Sequence, residues 1–311
     1  MYNLCCISNE LKEDGVAFKT MTWKRFTQLC SEHGDEYALD QLGHIWLNNI
    51  YVSHECIYHC HKNGWGYRVS SALFPVLTHP DFKYDIIDVP QVDQIIAAFD
   101  DIKHDNKHWK VRLSTHPDQF VVLASENQDA VDKSIAELNH HGWVMDKLGC
   151  QRNHYNVMCL HVNNSKGDPA DIAARFMSNL NKCHESVISR LVVETEDRGC
   201  WHAENLCEHF DIPVIFDNLH NQCNPSPNLS ELGAALLCES TWNGIKPVFH
   251  LSESHPDKSN PRCHADMPTF VPPISLLVEA DFECEYKSKD SAIREMIRLS
   301  QDCPLPTEVV S

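Results

Sequence analysis

The sequence predicts an α/β fold, a (β/α)8 barrel in a single domain over residues 1–300, with a disordered tail at 301–311. Three observations lead there. Eight short apolar segments alternate with eight segments of helical period. The length, 311 residues, suits one large barrel. From the third strand onward, each strand runs into an ionisable side chain, the pattern of a site built at the C-terminal tips of parallel strands. A doubly wound open sheet shares the first two observations and is the alternative architecture.

Taken in order, the strands are Asn3–Ser8, Gly66–Ser70, Lys110–Ser114, Asn156–Val162, Arg190–Thr195, Pro213–Asp217, Lys246–Leu251 and Phe282–Tyr286. Between them, Thr22–His33 and Asp35–Lys62 carry apolar residues at three and four spacing, with Leu39, Leu42, Ile45, Trp46 and Ile50 on one face. Val89–Asp101, Asn127–Leu148, Asp168–Ser186, Trp201–Phe210, Leu229–Leu237 and Lys289–Ser300 complete the helices. Asp168-Pro169 and Asn228 read as capped helix starts.

The stretch from Val111 to Phe120 is the most informative. Val111 and Leu113 alternate with Arg112 and Ser114, and then His116 is followed at once by Pro117. Proline cannot continue a central ladder, so the chain leaves the sheet there. The polar residues His116, Asp118 and Gln119 and the aromatic Phe120 are thereby gathered at one strand tip.

Other tips repeat the pattern. The fourth strand ends at His161 and the fifth presents Glu194, with Glu196 and Asp197 behind it. The sixth gives Asp217 and His220, the seventh His250, its following loop His264, and the eighth Glu285. In a closed barrel these groups converge. Imidazoles and carboxylates without thiolates suit Mn²⁺, Mg²⁺, Fe²⁺ or Zn²⁺. The ligands outnumber the needs of one ion, so two or three metals are expected. Such a cluster clamps a phosphodiester, one ion activating water and another stabilising the leaving oxygen. Apolar strands that each end in an unpartnered charge would be costly. Glu194, central in the strand order, is the natural bridge between ions.

Composition narrows the function classes. A net charge of −18 argues against a broad nucleic-acid-binding surface and leaves room for a narrow basic groove or for metal ions as the positive charge. Of the 20 histidines, His33, His54, His59, His61, His104, His108, His140, His141, His184 and His209 stand in helical or loop context and are expected at the surface. Fifteen scattered cysteines suggest reduced thiols in a cytoplasm. The start reads as a strand and not as a signal peptide, and no run is apolar enough to span a bilayer. No Gly-rich phosphate loop is present.

Together these residues resemble the UV-damage endonuclease family (UvdE, UvsE), from Leu4 to about Ile297. The matching stretches are Tyr67–Pro75, Leu113–Phe120, the strand with Glu194, Asp217–His220, His250–Ser252, His264–Asp266 and Glu285–Lys287. The family is a TIM barrel similar to endonuclease IV in its metal chemistry. The resemblance implies that His116, His161, Glu194, Asp217, His220, His250, His264 and Glu285 are the metal-site residues, with Glu194, His250 and Glu285 catalytic. It implies Mn²⁺, up to three ions, and incision of double-stranded DNA immediately 5′ to cyclobutane pyrimidine dimers, 6-4 photoproducts and some abasic sites. It makes Gln119-Phe120 the wedge at the lesion. Arg68, Arg112 and Lys287 are candidates for phosphate contacts, although Arg112 could instead pair with an inward carboxylate. The resemblance further implies a cytoplasmic, nucleoid-associated protein, and a monomer is expected.

Four positions depart from the family pattern. Cys5-Cys6 stand where Gly-Tyr is common, and His161-Val162-Asn163-Asn164 replaces His-x-Gly-Gly. Val248 stands where some members carry a modifiable lysine, and Glu194-Thr195-Glu196-Asp197 replaces Glu-Asn-Asp-Asp. Two other readings use the same barrel: a xylose-isomerase-like sugar isomerase or epimerase, and a DNA-binding scaffold that does not cut.

Overall fold

In the computed structural model, which describes residues 1–302, the alternating apolar segments form eight parallel strands. They are β1 (Tyr2–Cys5), β2 (Gly66–Val69), β3 (Leu113–Thr115), β4 (Met158–Leu160), β5 (Leu191–Glu194), β6 (Val214–Ile215), β7 (Val248–Leu251) and β8 (Asp281–Cys284). Ladders run in the order β6-β5-β4-β3-β2-β1-β8-β7. The ring closes between β6 and β7 through one parallel bridge, Asp217 to His250, where the His250 amide donates to the Phe216 carbonyl at 3.0 Å. The barrel, and not the open sheet, is therefore the fold.

The connecting helices are α1 (Asn9–Glu13), α2 (Trp23–His33), α3 (Asp35–Asn63), α4 (Val92–Trp109), α5 (Gln128–Lys147), α6 (Pro169–Leu180), α7 (Glu185–Ile188), α8 (Ala203–His209), α9 (Asn218–Cys223), α10 (Glu231–Ser240), α11 (Ile274–Leu277) and α12 (Asp290–Asp302). The expected helices are all present, with shifted ends. Asp168 caps α6 with Pro169 at its first position, and the expected helix over 168–186 breaks in two. Asn228 is not a cap: Ser230 accepts from the Gly233 amide to start α10, and Asn228 turns to Glu204. Lys110 does not begin a strand; it closes α4 in a left-handed conformation, φ 57°. Gln301 and Asp302 are the last residues of α12, and the rest of the expected tail, 303–311, lies outside the described residues.

Apolar side chains fill the layer between strands and helices. One cluster surrounds β4 to β8 and another packs β1 to β3 against α3 and α4, with Trp46, Phe99 and Tyr67 buried. The barrel interior is different: polar groups occupy it. Asn3 of β1 is buried and faces Gly66 of β2, where a β-carbon would meet its Oδ1 at 2.3 Å. Outside the barrel, several histidines expected at the surface are drawn in among the helices: His141 is buried, and His54, His59, His140 and His209 are half-buried. His141 lies between Thr115 and Glu137, and His59 lies 3.0 Å from Asp290. No helix among the described residues is long and apolar enough to cross a membrane.

Candidate metal centre at the mouth of the barrel

Glu194 ends β5 and is 1% exposed. Its Oε2 lies 3.1 Å from His116 Nε2 and 3.5 Å from His161 Nε2; its Oε1 lies 3.2 Å from His220 Nδ1 and 3.0 Å from His250 Nδ1. Four imidazoles from four strand tips thus meet one carboxylate. The tips deliver them because each strand stops here: β3 at His116-Pro117, β4 just before His161, β6 at the turn into α9.

Asp217 shows how the local sequence sets a ligand. It is the N-cap of α9, its Oδ1 accepting from the His220 amide at 2.7 Å. That leaves Oδ2 buried without a hydrogen-bond partner, 3.8 Å from His250 Nδ1. His220 is oriented by its own Nδ1, 2.7 Å from the Thr195 carbonyl. Glu285 stands 3.7 Å from His250 Nδ1 through Oε1 and 3.7 Å from His264 Nδ1 through Oε2. All eight residues expected at the metal site are therefore in one connected group, with His264 at its edge.

The charges are strongly coupled. Burial raises the Glu194 carboxyl, but His250 and His161 outweigh burial and hold it well below the usual carboxylate range. Burial takes His161 down to about 4, against the pull of Glu194. His220 goes the other way: burial is overcome by Asp217 and Glu194, which hold it up at about 11. Burial pushes Asp217 up, in part offset by His220.

The donors fit a metal. Three groups of three ligand atoms, each within 4.8 Å of one another, share Glu194: His116 with Cys159, His161 with His220, and Asp217 with His250. The buried, unpartnered Oδ2 of Asp217 points the same way, since an orphaned carboxylate oxygen is costly without a cation. One neighbour was not expected: a protonated thiol stands beside the donors. Cys159, inward on β4, holds its Sγ 3.1 Å from Glu194 Oε2, and burial pushes its pKa well up. A fourth group, Glu10, His59 and Asp290, does not share Glu194, and its carboxylates are spent on Ser8, Asn9 and Arg294.

With that geometry in place, the sequence relationships are decisive. The profile of the family described as UV-endonuclease UvdE matches residues 2–308. The chain belongs to this family. UV DNA damage endonucleases of Bacillus velezensis and a Nostoc species are 28% and 29% identical to it, over 91% and 94% of the chain and 89% and 88% of their own lengths. The UV-damage endonuclease of Neurospora crassa is 29% identical over 83% of the chain and 42% of its own length. The crystal structure of SacUVDE superimposes with a TM-score of 0.80 at 24% identity, over 97% of this chain and 98% of that one, which supports the barrel. A 3-keto-D-glucoside 4-epimerase from E. coli matches at 0.51 and 9% identity, a likeness of fold alone.

In this UvdE-family chain the expected DNA contacts fall in different places. Phe120 is 80% exposed on the loop after β3, beside the mouth, and the Gln119 carbonyl accepts from Asn163 Nδ2 at 3.2 Å. Lys287 is half exposed and loosely paired with Asp266 at 3.9 Å. Arg68 is only 9% exposed; its guanidinium lies beneath the centre, on Glu285 and, at 3.1 Å, on Glu283. It is not held out for a phosphate. Arg112 is buried and pairs with Asp281 at 2.8 Å, the inward-carboxylate alternative. The residues not anticipated at the site are Cys159, Ser114 and Glu283. The period-two alternation along β3, β4 and β8 was the available signal, since it turns them to the same side as His116, His161 and Glu285.

Proposed function

We propose that this DNA-repair endonuclease is metal-dependent and cuts the backbone of double-stranded DNA immediately 5′ to UV photolesions, with two or three Mn²⁺ ions as cofactor. The observation that carries this reading is Glu194: one buried carboxylate within reach of His116, His161, His220 and His250 at the mouth of the barrel. Names of relatives supply the substrate class, UV-damaged DNA.

His116, His161, Glu194, Asp217, His220, His250, His264 and Glu285 would hold the ions. Bound divalent ions supply Lewis-acid stabilisation of the phosphate charge and activation of water. The chain's own residues position and pair. Glu194 keeps four imidazoles facing one point. Asp217 offers Oδ2 because α9 holds its Oδ1. Phe120 stands exposed where it can replace lost stacking at a damaged step, which is already cheap to open. Gln119 and Lys287 flank the mouth as further DNA contacts.

The test is a nicking assay on a duplex with one defined cyclobutane dimer, in Mn²⁺ or EDTA, with Glu194→Gln alongside. A metal-dependent cut just 5′ to the dimer, absent in the variant, is the expected result. Cutting at an abasic site and not at a dimer moves the protein towards the endonuclease IV type. No cut at either overturns the reading.

A further inference from the structure

Asp281, Glu283 and Glu285 stand at alternate positions of β8 and its end, and all three reach into the barrel. They make three layers. Asp281 sits lowest, with Arg112 Nη1 at 2.8 Å and Lys246 Nζ at 2.7 Å. Glu285 is at the mouth. Glu283 lies between them, 1% exposed. Its Oε1 accepts a short hydrogen bond from Ser114 Oγ, and its Oε2 lies 3.1 Å from Arg68 Nη1 and 3.2 Å from His250 Nε2.

The His250 ring therefore spans two layers. Nδ1 faces up, 3.0 Å from Glu194, 3.8 Å from Asp217 and 3.7 Å from Glu285. Nε2 faces down to Glu283 at 3.2 Å and makes no completed hydrogen bond among the described residues, so Glu283 is its nearest acceptor. A neutral imidazole carries one N–H and one lone pair, and whatever accepts the N–H decides which nitrogen is left for a metal. Pairing with Arg68 alone would account for a buried carboxylate here. It does not account for Ser114 and Arg68 together aiming that carboxylate at the far nitrogen of a candidate ligand.

We propose that Glu283 is the positioning carboxylate of the metal centre. It is placed to accept a hydrogen bond from the Nε2–H of His250, which keeps its proton, so the Nδ1 lone pair is fixed toward Glu194 and Asp217. Ser114 and Arg68 hold Glu283 in place, and Arg68 ties it to Glu285 above. Carboxylates behind metal-bound histidines act in this way, and their loss weakens metal binding without removing a ligand. The inference rests on the metal reading of the site.

Mn²⁺ affinity and stoichiometry, measured on wild-type, Glu283→Ala, Glu283→Gln and Ser114→Ala proteins of native circular dichroism, test it without reference to activity. Glu283→Ala is expected to bind Mn²⁺ about 10–100-fold more weakly. Glu283→Gln, whose amide oxygen still accepts a hydrogen bond from the Nε2–H, is expected to recover part of the loss. A Glu283→Ala protein with lowered thermal stability and unchanged Mn²⁺ affinity overturns the proposal and leaves the metal reading standing. If that variant does not fold, Glu283→Gln and Ser114→Ala decide: wild-type affinity in both overturns it. Wild-type protein that binds no divalent ion overturns both readings together.

Discussion

Asp217 and His250, which face each other across the candidate metal site at 3.8 Å, also form, among the described residues, the bridge that joins β6 to β7 and closes the barrel. The same two residues thus serve ring closure through their backbones and the site through their side chains. The backbone bond from His250 to Phe216 fixes the spacing of the two side chains before any ion arrives. Pre-set donors of this kind lose little freedom on binding.

Asp217 has two separable duties, and two variants separate them. Asparagine still caps α9 through its amide oxygen, so Asp217→Asn is expected to melt close to wild type in EDTA and to bind Mn²⁺ weakly. Asp217→Ala is expected to lose the cap as well, about 1 kcal/mol of stability. Thermal melts in EDTA and Mn²⁺ titrations read the two effects.

Metal binding is expected to release protons at neutral pH. His220, held up at about 11, is protonated at pH 7 without metal, and a nitrogen that binds an ion must give its proton up. Affinity should therefore fall as pH is lowered. Calorimetric titrations of Mn²⁺ in buffers of different ionisation enthalpy measure the protons released; an enthalpy independent of buffer contradicts the expectation.

Phe120 makes almost no packing contribution, being 80% exposed. Phe120→Ala is expected to change stability by no more than about 0.5 kcal/mol. Loss of one stacking partner should weaken binding to a dimer-containing duplex by about 1–3 kcal/mol. Fluorescence anisotropy with damaged and undamaged duplexes checks both the loss and its restriction to damage.

Asp290 links the acid limb of stability to the join of β1 and α12. Burial raises its carboxyl, but His59, Ser8 and the Asn9 amide outweigh burial and hold it at about 2, below its ordinary 3.8. Its contribution, about 2 kcal/mol, is complete above pH 4 and disappears as pH falls through 2. Asp290→Asn is expected to be less stable than wild type at pH 7, with the gap closing across that acid window in urea melts.

Arg112 is expected to be structural. Arg112→Met leaves Asp281 with Lys246 and the N-terminal amine, and should cost about 3 kcal/mol, the low end for breaking a buried pair. Incision below the melting temperature should survive. Loss of DNA binding with unchanged stability would restore Arg112 to the DNA-contact set.

The sequence by itself determined the α/β alternation and the gathering of ionisable residues at strand ends. Eight apolar runs alternating with helical periods fit a closed barrel or an open sheet, a choice that the β6–β7 bridge decides, and strands that stop at an ionisable residue mark one face as the candidate site. His116-Pro117 is the plainest case, because the proline forces the strand to end. Cap register was less legible: Asn228 and Ser230 are both good caps, and only packing selects the serine. What tertiary structure alone decided was partnership across the barrel. Arg68 and Arg112 read alike as cations for DNA, but β2, β3 and β8 place them opposite Glu283, Glu285 and Asp281, inside the ring. Cys159, one apolar-looking residue in a buried strand, becomes a neighbour of Glu194. The arginine contacts join residues more than a hundred positions apart on strands that are not neighbours, and the Cys159 contact crosses from β4 to β5; which groups meet depends on pleat and stagger around the barrel, information no local pattern carries.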